Sequence, residues 1–156
     1  MGKKVFVRGR RLRHDTPGWV ADGSRFFVTI NAKRPGVEEL CGNKELNEVA
    51  SGLLDGARYY HEAGKWFVHL FLLMPDHLHA IFSFPRNEDM KETIRSWKRH
   101  QKKCLGVRWR EGFHDHRIRD EESFDDKVEY IRMNPVRAGL CGKAEEWEWV
   151  TGFSGE

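Results

Sequence analysis

The feature that most restricts the fold of this chain is a pair of apolar segments, residues 66–73 and 77–84, separated by Met74-Pro75-Asp76. Both segments have the length of a strand, and a tripeptide that contains proline indicates a turn or a break between them. We therefore predict a β-hairpin here. His69 interrupts the first segment, and neither approaches the roughly 20 apolar residues of a membrane-spanning helix, which excludes a transmembrane protein.

The rest of the chain supplies the elements of an α+β fold. A β-branched and aromatic segment at 25–30 predicts a first strand. Helical spacing of apolar residues predicts helices over 43–64, over about 88–103 and from Asp120 onwards, and residues 107–118 are predicted to be extended. This order of elements predicts a ferredoxin-like split β-α-β sandwich, with an antiparallel sheet covered on one face and an added C-terminal helix.

Length and composition restrict the class of protein further. With 156 residues, we expect one domain over 1–156, with a basic N-terminal arm at 1–20 and a C-terminal tail at 141–156. No apolar signal core follows the basic N-terminus, so we expect a cytoplasmic protein. The three cysteines are odd in number and lack CxxC spacing, which argues against a disulfide framework or a thiolate zinc site.

Positive charge is concentrated in two segments, although the balance of the whole chain is only +3. Residues 1–13 contain six Lys and Arg residues and no acid, and residues 91–110 contain eight against one glutamate. Trp97 and Trp109 lie within the second segment, and such a mixture suits DNA because cations neutralise phosphates while rings stack on bases. A solvated surface is the alternative for either segment. The candidate DNA contacts are Arg10, Arg11, Arg95, Lys98, Arg99, Lys102 and Lys103.

His77-Leu78-His79 is the first candidate for chemistry. In an extended strand, residues i and i+2 point to the same face, so both imidazoles can address one metal ion. Two surface histidines, or histidines satisfied within the fold, are the alternative. The tripeptide His114-Asp115-His116 repeats the pattern in more polar surroundings, and it fits either a second metal site or exposed residues that contact DNA.

Tyr130 and Asn134 are the second candidate. If one helix contains both, their Cβ atoms are about 5–6 Å apart, so a phenol and an amide oxygen can approach one ion. Pro135 disfavours the α conformation at Asn134, and the helix is alternatively expected to end there. Packing against the core is the other role open to the tyrosine.

These motifs resemble those of the single-tyrosine HUH transposases, in particular the transposase-like proteins associated with repetitive extragenic palindromes. The resemblance rests on LMPDHLH at 73–79 followed by YIRMNPVRAGL at 130–140, in the family's order and approximate spacing. Asp76, where the family often has Asn, and Val150-Thr151, where it often has two serines, depart from the pattern. Supporting matches, which extend the resemblance over most of the chain, are Arg10-Arg11 with Pro17-Gly18, the strand at 26–30, the segment 113–120 and Trp147-Glu148-Trp149.

The resemblance implies a metal-dependent transesterase that cleaves and rejoins single-stranded DNA through a 5′-phosphotyrosine at Tyr130, at hairpin or palindromic sequences. His77, His79 and Asn134 would hold Mg²⁺ or Mn²⁺, and Arg137 joins the candidate DNA contacts. Two alternatives stay open: a hairpin-binding module that no longer cuts, and a metal-dependent hydrolase that uses both HxH pairs. Monomeric and homodimeric forms are both compatible with the sequence.

Overall fold

The computed structural model describes residues 23–153, so Arg10 and Arg11 lie outside the described residues with the rest of the N-terminal arm. Within this range, one antiparallel sheet contains β1 (Arg25–Asn31), β2 (Phe67–Leu73), β3 (His77–Ser83), β4 (His114–Ile118) and β5 (Val150–Thr151). The helices of the same range are α1 (Asn47–Glu62), α2 (Met90–Leu105), α3 (Glu121–Arg132) and the single-turn α4 (Asn134–Arg137).

The strands lie in the order β4-β1-β3-β2-β5. Because α1 connects β1 to β2 and α2 connects β3 to β4, the first four strands have the ferredoxin-like arrangement, which confirms the predicted α+β fold. The predicted hairpin is the β2–β3 pair, with Leu73 opposite Leu78 next to the turn. The strand β3 therefore lies at the centre of the sheet.

Local hydrogen bonds define the ends of the two later helices. The Asp89 side chain accepts a hydrogen bond from the Lys91 N–H at the start of α2, and Gly106 ends that helix with φ 73°. The Asp120 side chain accepts from the Ser123 N–H at the start of α3. A carboxylate at the first turn also suits the positive end of the helix dipole, and the predicted start near Asp120 is confirmed.

Helices pack on both faces of the sheet, although α3 covers only part of its face, so the expectation of one covered face is wrong. The larger core lies between one face and the helices α1 and α2, with Leu53, Trp66 and Trp97 among its buried side chains. The second core lies where α3 packs on the other face, through Phe124 and Ile131. All seven residues of β2 are buried, as expected of a strand with apolar partners on both sides.

The C-terminal tail adds a strand that the sequence does not predict. Val150 and Thr151 pair with Leu72 and Phe71 of β2, so the two-residue β5 covers an edge of the sheet. The Trp147 indole N–H donates to the Leu73 carbonyl over 2.9 Å, which holds the chain before β5 in place. Within residues 23–153, no helix has the length and apolarity that crossing a bilayer requires.

Candidate active site

The two histidines of the first HxH motif and Tyr130 lie together on the sheet face that α3 packs against. His77 and His79 are the first and third residues of β3, and their ring centroids are 4.7 Å apart. The Tyr130 ring, on α3, has its centroid 6.3 Å from that of His79 and 6.1 Å from that of Phe27. Tyr130 is 50% exposed, so its phenol is accessible to a ligand from solvent.

Each histidine is oriented by a hydrogen bond at its Nδ1 atom. In His77 this atom lies 2.7 Å from the Asp76 Oδ1 atom, and in His79 it lies 2.9 Å from the Thr29 Oγ1 atom. Because a carboxylate only accepts, the His77 Nδ1 atom has the proton and the Nε2 atom of the neutral ring keeps its lone pair. Among the described residues, neither Nε2 atom has a hydrogen-bond partner.

The charge states of the surrounding groups suit this arrangement. Burial alone would raise the pKa of Asp76, but hydrogen bonds from the Gly36 N–H and the His77 ring outweigh it and lower that pKa. Burial lowers the pKa of His79 to about 3, and the positive charges of Arg137 and of a protonated His77 act in the same direction. His79 is therefore a neutral imidazole near pH 7, which is the form that binds metals.

Arg137 lies against the tyrosine. Its guanidinium carbon is 4.6 Å from the centroid of the Tyr130 ring, and its NH2 group donates a hydrogen bond to the Tyr130 carbonyl. Both contacts arise because the chain turns between α3 and α4 and brings Arg137 back over the end of α3. An anion bound at the phenol would therefore meet this cation.

Asn134 lies on a different helix from Tyr130. The helix α3 ends at Arg132, and Asn134 begins α4 with Pro135 in its first turn, so the continuous helix is wrong. The alternative end at Asn134 differs from the structure as well, because the break lies at Met133 and Asn134 is helical. Among residues 23–153, the buried Nδ2 atom of Asn134 has no hydrogen-bond partner. This atom is a hydrogen-bond donor, so an acceptor such as a phosphate oxygen would satisfy it, whereas a cation would bind the amide oxygen.

The residues present fit a divalent cation with mixed nitrogen and oxygen ligands. In the described part of the chain, no three His, Cys, Asp or Glu side chains come together as a metal site, and the Asn134 amide stays the predicted third ligand. Oriented imidazoles with a free Nε2 atom are typical of metal-binding histidines, whose other ring nitrogen is held by a carboxylate or a neighbouring acceptor. Amide oxygen suits Mg²⁺ and Mn²⁺.

The second HxH motif faces the same way but lies two strands away. Thr29 of β1 pairs with His79 on one side and with His114 on the other. Neighbouring strands are about 4.8 Å apart, so the two motifs are separated by about 10 Å, whereas metal–imidazole bonds are about 2 Å long. One ion cannot bind both pairs. His114 and His116 are exposed.

The basic face of α2 forms a groove of about 380 Å³ with the segment that precedes β4. We call it the basic groove. Backbone hydrogen bonds from the Lys33 N–H to the Arg108 carbonyl and from the Arg110 N–H to the Asn31 carbonyl hold the segment before β4 against the end of β1. The helix α2 packs on the sheet face opposite the histidines, so the groove and the histidine site lie on different sides of the sheet. Its lining residues are Lys33, Lys98, Arg99, Lys102, Arg108, Trp109, Arg110 and Glu111.

The structure separates the predicted DNA contacts of α2 into three groups. Arg99 and Lys102 line the basic groove, whereas Arg95 pairs with Glu92 outside it and Lys103 is exposed elsewhere on the helix. Lys98 also lines the groove, but its amine donates to the Arg110 and Gly112 carbonyls over 2.8 and 2.7 Å. Burial lowers the pKa of Lys98.

Three cations of the basic groove were not among the predicted contacts. Arg108 and Arg110 belong to the basic segment 91–110, so their charge was a usable signal. Lys33 follows β1, far from that segment in sequence, and only the pairing of the chain near Asn31 with the segment before β4 brings it to the groove.

No protein-family profile matches the chain. The chain is 26% identical over 132 residues to the REP-associated tyrosine transposase of Escherichia coli K12, across 83% of this chain and 76% of that protein. A Haemophilus influenzae protein assigned to the same group is 27% identical over 94 residues, 49% of this chain and 53% of that protein. The solved structure of a REP-associated tyrosine transposase bound to a REP hairpin has the same fold, with a TM-score of 0.70 at 20% identity over 93% of this chain and 82% of that one. The chain is therefore a homologue of the REP-associated tyrosine transposases.

Proposed function

We propose that this chain is a metal-dependent transesterase that cleaves and rejoins single-stranded DNA at hairpin or palindromic sequences, through a 5′-phosphotyrosine at Tyr130. The observation that supports this most strongly is the position of the Tyr130 ring, 6.3 Å from that of His79, beside two imidazoles whose Nε2 atoms have no hydrogen-bond partner within residues 23–153. Homology to the REP-associated tyrosine transposases supports the substrate class.

His77 and His79, through Nε2, and Asn134, through its amide oxygen, would hold Mg²⁺ or Mn²⁺. When bound, such an ion polarises the scissile phosphate and offsets the charge that develops on it. Asp76 and Thr29 keep the two rings in the orientation that presents Nε2 to the site. They are positioning residues.

Tyr130 would act as the nucleophile. A bond forms between the phenol oxygen and the phosphorus, and the bond from phosphorus to the 3′ oxygen breaks. The phenol loses its proton and the departing 3′ oxygen gains one, so the products are a 5′-phosphotyrosine and a 3′-hydroxyl. Because one phosphoester replaces another, a 3′-hydroxyl can reverse the step without ATP. Arg137, whose guanidinium lies 4.6 Å from the Tyr130 ring, would stabilise negative charge on the phenol and the phosphate.

The basic groove would bind the backbone of the DNA. Among the described residues, Lys33, Arg99, Lys102 and Arg110 have no ion-pair partner, so their charges are available to phosphates. Arg108 is partly neutralised because it pairs with Glu39 over 3.2 Å. Ionic contacts of this kind position DNA without reading its sequence, so the groove fits the stem of a hairpin.

The chemistry is tested with a pool of DNA hairpins that have randomised single-stranded flanks and a label at the 3′ end. The fragment that a 5′-phosphotyrosine retains is the labelled one, so cleavage in Mn²⁺ should yield a labelled band of protein size on a denaturing gel. Tyr130→Phe should abolish this band but bind the pool normally, because the ring that packs on Phe27 is retained.

Three results would contradict the proposal. Cleavage of the pool without a covalent band would indicate a hydrolase. Binding without cleavage by the wild-type chain would indicate a hairpin-binding module. A covalent band of undiminished intensity in EDTA would show that the reaction does not require a metal ion.

A further inference from the structure

Part of the sheet face that contains the histidine site remains open to solvent. The helix α3 packs over the β2–β3 side of this face, where Phe124 and Ile131 bury Leu72 and Ile81. At the other side, on β4, His114 and His116 are exposed. Among the described residues, a DNA strand that passes the site therefore has an exposed path along β4, next to the Phe27 ring of β1, which Tyr130 and Lys127 partly cover.

The strand register makes this path continuous with Tyr130. Phe27 of β1 pairs with His116 of β4, and the Phe27 ring centroid is 5.3 Å from that of His79 and 6.1 Å from that of Tyr130. Residues directly opposite each other on neighbouring strands point to the same face. The rings of Tyr130, Phe27 and His116 therefore follow one another across the sheet, with His114 beside Thr29 in the adjacent row.

The exposed imidazoles have chemistry that is not used within the described residues. Neither His114 nor His116 has a side-chain hydrogen bond, an ion pair or a ring contact in that part of the chain. An imidazole can donate a hydrogen bond to a phosphate oxygen and can also stack on a base. The intervening acid, Asp115, points to the opposite face because side chains alternate along a strand. The Lys127 ammonium lies 5.5 Å from the centroid of the Phe27 ring and adds positive charge beside the path.

We propose that Phe27, His114 and His116 form a nucleotide-binding strip that holds the single-stranded DNA next to the scissile phosphate. The inference rests on the proposed function and assigns the unpaired flank, rather than the hairpin stem, to this surface. A metal ion is the less favoured ligand, because residues 23–153 provide no third His, Cys, Asp or Glu beside the two imidazoles.

The test compares two hairpins with the same stem, one blunt and one with a single-stranded flank, in a Tyr130→Phe background that prevents cleavage. Fluorescence anisotropy gives the affinity for each. Replacing His114 and His116 by alanine should remove most of the affinity that the flank adds, about tenfold or more for a lost stacked base, and should change blunt-hairpin affinity less than twofold. His100→Ala, at an exposed position on α2, is the matched control and should leave both affinities unchanged.

A single substitution separates stacking from a merely structural role. His116→Phe retains an aromatic ring at this position, so it should recover most of the contribution of the flank that His116→Ala loses. Three results would overturn the proposed strip. The double alanine variant could weaken the binding of both hairpins equally, or it could leave unchanged the affinity that the flank adds. The affinity that the flank adds could also depend on added Zn²⁺.

The outcome is distinguishable from failure of the proposed function. A covalent band from the wild-type chain, together with a contribution of the flank that the double variant does not alter, would overturn the strip alone. The wild-type chain could instead give no covalent band while the double variant loses the affinity that the flank adds. That result would overturn the transesterase and support the strip as a DNA-binding surface.

Discussion

At the scale of single residues, the site depends on two groups that need not touch DNA. Asp76 and Thr29 determine which nitrogen of each histidine is available, because each occupies an Nδ1 atom. Asp76 is itself held by the backbone of Gly36, whose N–H lies 2.7 Å from its second oxygen. The φ of 76° at Gly36 is one that glycine adopts without strain, so this turn favours glycine.

We expect Thr29→Val to lower the rate of covalent-complex formation by about 10- to 100-fold, which is the usual effect of removing a group that orients a metal-binding histidine. Valine has nearly the shape of threonine but cannot bond the His79 ring. DNA affinity measured in EDTA should stay within twofold of wild type. Thr93→Val is the matched control, since it removes a hydroxyl on α2 that donates to Glu88 and contacts neither histidine. Equal rates of covalent-complex formation for Thr29→Val and wild type would show that Thr29 does not orient His79 for the reaction.

The residues of the site differ in how far the sequence alone predicts them. The HxH spacing predicts that His77 and His79 share a face, because strand alternation is a local property. Thr29 could not be identified as the partner of His79, because the two are 50 residues apart and only the register of β1 on β3 brings them together. Arg137 was predicted to contact DNA, but its position over the Tyr130 ring depends on the turn between α3 and α4.

At the scale of elements, α2 has two separate surfaces. Trp97 packs into the larger core, while Arg99 and Lys102 line the basic groove. The amphipathic pattern predicts this division of the helix. It does not predict that Lys98 is used to hold the segment before β4, because that contact requires the folded position of the Arg110 and Gly112 carbonyls.

Reversing charge in the basic groove should weaken DNA binding at all sequences. We expect the double variant Arg99→Glu, Lys102→Glu to lower hairpin affinity by at least tenfold at low salt, and to reduce the slope of log affinity against log salt by about 1–2. Lys91→Glu, at an exposed position in the first turn of the same helix and outside the groove, is the control. A salt slope that responds equally to both variants would indicate a general effect of net charge.

At the scale of the whole molecule, the C-terminal tail connects the sheet to α1. The His61 ring stacks on Phe153 with centroids 4.0 Å apart, and its Nδ1 atom accepts a hydrogen bond from the Val68 N–H over 3.1 Å. Burial lowers the pKa of His61 to about 4. The folded state therefore requires the neutral ring.

The requirement for a neutral His61 ring in the folded state predicts how the free energy of unfolding depends on pH. Between about pH 6.5 and pH 4 the unfolded chain binds a proton at His61 that the folded chain does not, so the contribution of this residue is present above pH 6.5 and is lost as the pH falls. We expect it to lower the free energy of unfolding by about 1–2 kcal/mol at pH 5 relative to pH 7. Urea unfolding of wild type and His61→Gln at both pH values measures the difference. The same loss in both chains would show that other groups are responsible.

Removing the tail should expose the edge of β2. A chain that ends at Glu146 loses β5, Trp147 and the hydrogen bond from the Phe153 N–H to the Val68 carbonyl. We expect a melting temperature lower by several degrees and greater light scattering on heating, because unpaired strand edges associate. A chain that ends at Phe153 is the control. Equal melting and scattering of the two truncated chains would contradict a protective role of the tail.

The order of the first four strands and two helices could be predicted because each element has a clear periodicity and length. The strand β5 could not, because a two-residue strand has no periodicity and exists only through pairing with β2. The helix α3 was predicted, with its start near Asp120, but the face that it covers depends on the connection after β4.

The central strand β3 serves the core on one face and the histidine site on the other. Leu78, Ala80 and Phe82 are completely buried in the larger core, and they alternate along the strand with His77, His79 and Ile81. A genetic screen for loss of DNA cleavage should therefore recover substitutions at Leu78 and Ala80, which no nucleotide reaches. Substitutions on the apolar side of this strand are therefore expected to displace the histidines on its other side without contacting them.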